Sequence, residues 1–101
     1  MRRIKIEIIL QSTYFNKLLK IFDELKISGY TALEIIKGKG AKGGEVFASG
    51  SIPVYKNLLV FLICEEHEKE PLLEKIVPIV QQAGGLVIYY DVNRPDLKIT
   101  S

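Results

Sequence analysis

The chain has 101 residues, 48% apolar and 26% charged, with a formal net charge of +2 and one cysteine, Cys64. That is the size and make-up of a single ordinary globular domain with a real core. A charge of +2 argues against a nucleic-acid surface, and a lone cysteine excludes an internal disulfide or a multi-cysteine metal site within one chain.

The N-terminus, MRRIKIEIIL, is basic and then apolar in the manner of a signal peptide. Lys5 and Glu7 interrupt the apolar run, however, and no small-residue cleavage site follows. No apolar stretch approaches about 18 residues, so neither a membrane span nor direct membrane insertion is expected, and a cytoplasmic location is. From Arg3 to Leu10 the residues alternate, with Ile4, Ile6, Ile8 and Leu10 on one side and Lys5 and Glu7 on the other. This period of two predicts a first strand. Ser12 and Thr13 are both suited to cap a helix. Phe15, Leu18, Leu19, Phe22 and Leu25 then recur at helical spacing and predict an amphipathic helix from about Tyr14 to Lys26, with Gly29 ending the connection.

Tyr30 to Ile36 reads as a second strand. After it comes KGKGAKGGEVFASGSIP, Lys37 to Pro53, which holds five of the eight glycines and three lysines. Glycines at this density let backbone N–H groups approach a ligand, and the interleaved lysines suit phosphate. A connection longer than about 12–15 residues is usually functional or disordered. The plainer alternative is a hairpin loop whose lysines only keep it soluble. Val54 to Cys64 reads as a third strand, and Glu65 to Ala83 as a second helix. Pro71 is expected in that helix's first turn, Pro78 is expected to bend it, and Gly84 is a suitable C-terminal cap. Leu86 to Tyr90 reads as a fourth strand, and residues 92–101 as a polar tail.

The order β-α-β-β-α-β predicts a single α+β domain of ferredoxin-like form over 1–101, a four-stranded antiparallel sheet with both helices on one face. In such a sheet the uncovered face should be polar. In the third strand, however, Leu59, Phe61 and Ile63 are apolar, and so are Leu58, Val60 and Leu62 on the opposite side. The run Leu86 to Tyr90 likewise has no polar face. Packing of that face against other copies with closed cyclic symmetry is therefore expected. The alternative is a lone domain whose tail or loop folds back over the sheet.

The element order, the long glycine-rich loop and the run GYTALEIIKGKGAKGGEVF together resemble the PII-like signal-transduction family, from about Ile4 to Tyr90. The resemblance implies a homotrimer that binds an adenine nucleotide (AMP, ADP, ATP or a cyclic form) between subunits. It also implies a T-loop, here about 38–53, that docks on a transporter or enzyme, and no enzymatic activity of its own. Gly29 and Thr31 match the family's residues at the start of the second strand. Gly38 and Gly40 match the paired glycines at the T-loop base, and Lys42 stands in for a basic residue that follows. The nucleotide-binding residues so implied are Thr31, Gly38, Lys39, Gly40, Lys42, Gly43, Gly44, Gly84, Gly85 and Arg94.

There are departures. One extra residue separates Thr31 from Gly38, the loop is several residues shorter than in nitrogen-regulatory members, and Tyr55 lies too near the third strand to match their modified tyrosine. The second phosphate loop is reduced to Gly84-Gly85, and the C-terminal basic residues to Arg94 and Lys98. These features are closer to the bicarbonate-transporter and carboxysome-associated branch. Three other readings share the fold order. A trimeric metal-binding protein of the copper-tolerance kind would need more ligands than His67 and its acidic neighbours in EEHEKE. An acylphosphatase would need a phosphate cradle where Leu10-Gln11-Ser12-Thr13 has neither glycine nor arginine. An ACT-type small-molecule module has a tight second hairpin. Cys64, ending an apolar strand, reads as a core residue.

Overall fold

The computed structural model describes residues 2–27, 29–38, 56–93 and 95. The alternation of the N-terminal segment becomes strand β1, Arg3–Gln11, in which Ile4, Ile6, Ile8 and Leu10 are all buried. A 3-10 turn, Ser12–Tyr14, leads into helix α1, Phe15–Glu24. Strand β2 is Thr31–Glu34, β3 is Asn57–Glu65, helix α2 is Glu66–Gln82, and β4 is Leu86–Val92. The four strands form one sheet in the order β2-β3-β1-β4, every neighbouring pair antiparallel. This is the ferredoxin-like arrangement expected from the element order. Of the expected loop 38–53 only Gly38 falls within the described residues, and Val54, the expected start of β3, lies outside them.

Both helices cover the same side of the sheet. Leu18, Ile21 and Phe22 of α1 and Leu72, Ile76 and Val80 of α2 are buried against β1 and against Val60, Leu62 and Cys64 of β3. Cys64 is part of this core. Burial pushes its thiol up to about 11, so it acts as a small apolar side chain.

Two local expectations need correction. Ser12 does not cap α1. Its Oγ accepts the Lys56 N–H at 3.1 Å while its own N–H donates to the Lys56 carbonyl at 2.6 Å, stitching the end of β1 to the approach to β3. Pro71 is not in the first turn of α2, because the helix already begins at Glu66, where Glu68 reaches back to accept the Glu65 N–H at 2.8 Å. Pro71 and Pro78 thus both sit inside a helix that runs on through them. They are two turns apart on its exposed side, where the freed carbonyls can meet water.

Lys26, where the sequence places the end of α1, closes the helix. Lys26 takes the left-handed conformation at φ 59°, the Ile27 N–H returns to the Phe22 carbonyl at 2.7 Å, and the Lys26 N–H returns to Asp23 at 3.1 Å. This is the Schellman closure, with lysine where glycine is usual. The same closure ends α2 as expected, with Gly84 at φ 69° and the Gly85 N–H on the Val80 carbonyl at 2.9 Å. A left-handed lysine is strained by roughly 1–2 kcal/mol. Lys26→Gly should therefore raise the free energy of unfolding by about 1 kcal/mol in urea titrations, after allowing for the greater freedom of the unfolded glycine.

Candidate functional site

The candidate residues fall into two groups set by the strand order. Thr31 opens β2 and is exposed, and Gly38 lies four residues past that strand's end. Gly84 and Gly85 form the turn from α2 into β4. Lys39, Gly40, Lys42, Gly43, Gly44 and Arg94 lie outside the described residues. The register puts Gly38 and the Gly84-Gly85 turn toward the same end of the sheet, whereas Thr31, paired with Phe61, lies level with Glu7 at its middle. Glu34 pairs with Leu58 and Gln11 with Asn57, while Leu86 pairs with Ile9 near the close of β1.

The groups lie on opposite edges, however. β3 and β1 separate β2 from β4, a distance of about 14 Å across three strand spacings. One copy of the chain does not bring Thr31 and Gly38 to Gly84 and Gly85.

The α2–β4 turn also has a steric reason for its second glycine. A Cβ on Gly85 would lie 2.0 Å from the Ile9 carbonyl oxygen and 3.0 Å from Val80 Cγ1. The turn is drawn tightly onto the end of β1, which holds its backbone at the sheet edge. Gly85→Ala should lower stability by about 1–3 kcal/mol by thermal or chemical unfolding, because backbone must move to admit the methyl group.

On the side of the sheet away from the helices the register puts Arg3, Lys5, Glu7 and Ile9 of β1, Leu59, Phe61, Ile63 and Glu65 of β3, Thr31 and Leu33 of β2, and Leu86, Ile88, Tyr90 and Val92 of β4. Leu33 and Leu86 are about half exposed, at 50% and 51%, and Ile88 and Tyr90 are little less so. At the middle of this face sits a polar trio. Tyr90 donates its hydroxyl to Glu7 Oε2, Lys5 Nζ lies 3.2 Å from the same oxygen, and that ammonium also sits 4.3 Å from the centre of the Phe61 ring.

The Tyr90 hydrogen bond is the main reason the Glu7 carboxyl is held below its usual range, with Lys5 assisting and burial opposing. The bond to Glu7 in turn raises Tyr90 and Lys5. A lowered carboxyl contributes stability above its unfolded value of 4.5 and loses it as the pH falls through the folded value. The raised hydroxyl and ammonium contribute below their unfolded values of 10.0 and 10.5 and lose that contribution as the pH rises through their folded values. The stability difference between wild type and Tyr90→Phe should thus be flat across neutral pH and shrink on acidification below 4.5. Unfolding curves at a series of pH values measure it, and an undiminished difference in strong acid would show that the Tyr90–Glu7 bond is not its source.

Sequence reasoning missed a shallow cleft of about 390 Å³ between α1 and Tyr30, lined by Leu19, Lys20, Phe22, Asp23 and Ile27 among others. Tyr30 is held there by the rings of Phe22, at 5.5 Å, and Phe15, at 6.2 Å. The only sequence signal for it was the aromatic residue directly before Thr31. His67 is exposed, with Nδ1 3.8 Å from Glu65 Oε1. Among the described residues no three His, Cys, Asp or Glu side chains converge as metal ligands, and no helix is long and apolar enough to cross a membrane.

Residues 3–94 match the nitrogen regulatory protein P-II family. The chain belongs to that family and is a regulatory protein of the PII-like kind. Its structure is similar to that of CPII, a nitrogen regulatory PII-like protein from Thiomonas intermedia K12 bound to ADP, AMP and bicarbonate. The two are 26% identical with a TM-score of 0.76, over 95% of this chain and 92% of that one. The complex of B. subtilis GlnK with ATP shares the fold at 17% identity and a TM-score of 0.65, over 90% of this chain and 82% of that one. The greater likeness to CPII sets the chain in the PII-like branch, apart from GlnK. No curated protein sequence matches it.

Proposed function

We propose that this regulator binds an adenine nucleotide in a crevice between copies and signals to a transporter or enzyme through the loop 38–53. The observation that carries the reading is the division of the candidate residues between the two edges of one sheet. A ligand touching both groups needs β2 of one copy beside β4 of the next, a head-to-tail junction that forms a ring when the rotation between copies closes. The half-exposed apolar face gives the ring its driving force, because each large side chain buried there adds a share of the roughly 1.5–3 kcal/mol of full burial. The reading is of a homotrimer of single-domain subunits working in the cytoplasm.

In that crevice Thr31 and the backbone at Gly38 and Gly40 lie on one wall, and Gly84 and Gly85 on the other. Lys39, Lys42 and the amides of Gly43 and Gly44 meet the phosphates, and Arg94, just past β4, adds a further positive charge. Contact with the phosphates changes the shape the loop offers to its partner. The nucleotides bound to CPII and GlnK support this ligand class.

Thermal-shift measurements with AMP, ADP, ATP, cyclic AMP and cyclic di-AMP, beside zinc and copper, test the proposal. A saturating nucleotide at 100-fold its Kd should stabilise the protein by about 2.7 kcal/mol. Lys39→Ala and Lys42→Ala should each weaken nucleotide binding by about tenfold, roughly 1.4 kcal/mol, and leave the assembly's mass unchanged. No shift with any nucleotide, or a monomer by light scattering, would overturn the reading.

A further inference from the structure

The middle of the uncovered sheet face holds one ion pair among apolar side chains. Lys5 and Glu7 are successive residues on that side of β1, and their side chains are only 25% and 24% exposed. Across the sheet the row through Glu7 runs Thr31, Phe61, Glu7, Ile88, and the row through Lys5 runs Ile63, Lys5, Tyr90. Lys5 Nζ lies 3.2 Å from Glu7 Oε2, the Tyr90 hydroxyl donates to the same oxygen, and the ammonium rests on the Phe61 ring. The other titratable groups on this face are Arg3 on β1 and Glu65 on β3, which stand opposite each other one row beyond Lys5. β2 contributes only Thr31 and Leu33. While both members of the pair are ionised, the middle of the face carries no net charge.

We propose that copies associate across this face only while Lys5 and Glu7 are both ionised, so that protonating Glu7 separates them. The inference rests on the self-association proposed above. A paired carboxylate and ammonium, already held by Tyr90 and Phe61, can be dried by an apolar neighbour, whereas a lone ammonium left by a protonated Glu7 is costly to dry. In the free chain that ammonium can still be reached by water. The free chain therefore takes up the proton more readily than the assembly does, and acid draws the equilibrium toward it. The Tyr90 bond, with Lys5 assisting, holds the Glu7 carboxyl below its ordinary 4.5 before any association, so the pair is intact at neutral pH. Association is then insensitive to pH around neutrality and weakens in acid.

Light scattering on dilution, repeated at a series of pH values from neutral to acid with circular dichroism to confirm folding, tests the proposal. The concentration at which the wild-type assembly dissociates should be level near neutrality and rise at least about tenfold as the pH falls below 4.5. Glu7→Gln mimics the protonated side chain, and should dissociate at least about tenfold more readily at neutral pH with little further change in acid. Glu65→Gln should keep the wild-type profile. Lys5→Met combined with Glu7→Gln removes both charges and should return the assembly close to wild-type strength. A Glu7→Gln variant that assembles like wild type or keeps the full acid dependence, or a double variant as weak as Glu7→Gln alone, would overturn the proposal while leaving self-association intact. A wild-type chain that is monomeric at every concentration and pH would sink both. Should Glu7→Gln fail to fold, the wild-type series decides, since a chain that stays folded and equally assembled in acid would overturn the proposal by itself.

Discussion

Everything in this molecule follows from a sheet with two apolar faces and helices enough for only one. Successive residues of a strand point to opposite sides, so the run Leu58 to Ile63 in β3 cannot hide all its side chains under α1 and α2. Val60 and Leu62 go to the helices and are buried, whereas Leu59, Phe61 and Ile63 turn the other way and stay partly exposed. Leu86, Ile88 and Tyr90 extend that second surface to the sheet's edge. The helix-covered side makes a stable domain, and the other side makes a domain with a reason to seek its own kind.

Much of the fold was legible because its signals are local. Ile4, Ile6, Ile8 and Leu10 declare a strand and its buried side by spacing alone, and Leu18 and Phe22 declare the inner stripe of α1. The misreadings came where a distant or rarer interaction prevailed. Ser12 has the chemistry of a cap, but its hydroxyl serves Lys56, 44 residues away, and no local pattern announces that partner. Proline is common at helix starts, yet Glu68 folding back on Glu65 fixes the start of α2 five residues before Pro71. Lys26 closes α1 where the spacing ends it, though in a conformation that composition assigns to glycine.

The site was legible in part, as residue types in one motif and one turn. What spacing could not show is that the strand order sends them to opposite edges of one sheet. Nor could it separate two demands on Gly84 and Gly85. The first glycine supplies a left-handed helix end and the second leaves room for the Ile9 carbonyl, so both residues are required by the fold itself. A turn held this firmly presents its backbone in a fixed position, which is also what a phosphate-facing wall requires.

At the opposite end of the sheet Arg2 bridges two elements, with Nη1 3.0 Å from Glu66 Oε2 at the head of α2 and Nη2 2.8 Å from Asp91 Oδ2 in β4. All three side chains are more than half exposed, so the bridge adds little to stability. Its value is geographical. It anchors the start of β1 about 26 Å, the length of that strand, from the end where Gly38, Gly84 and Gly85 lie. A fluorophore, affinity handle or surface tether attached ahead of Arg2 would therefore leave the far end unobstructed.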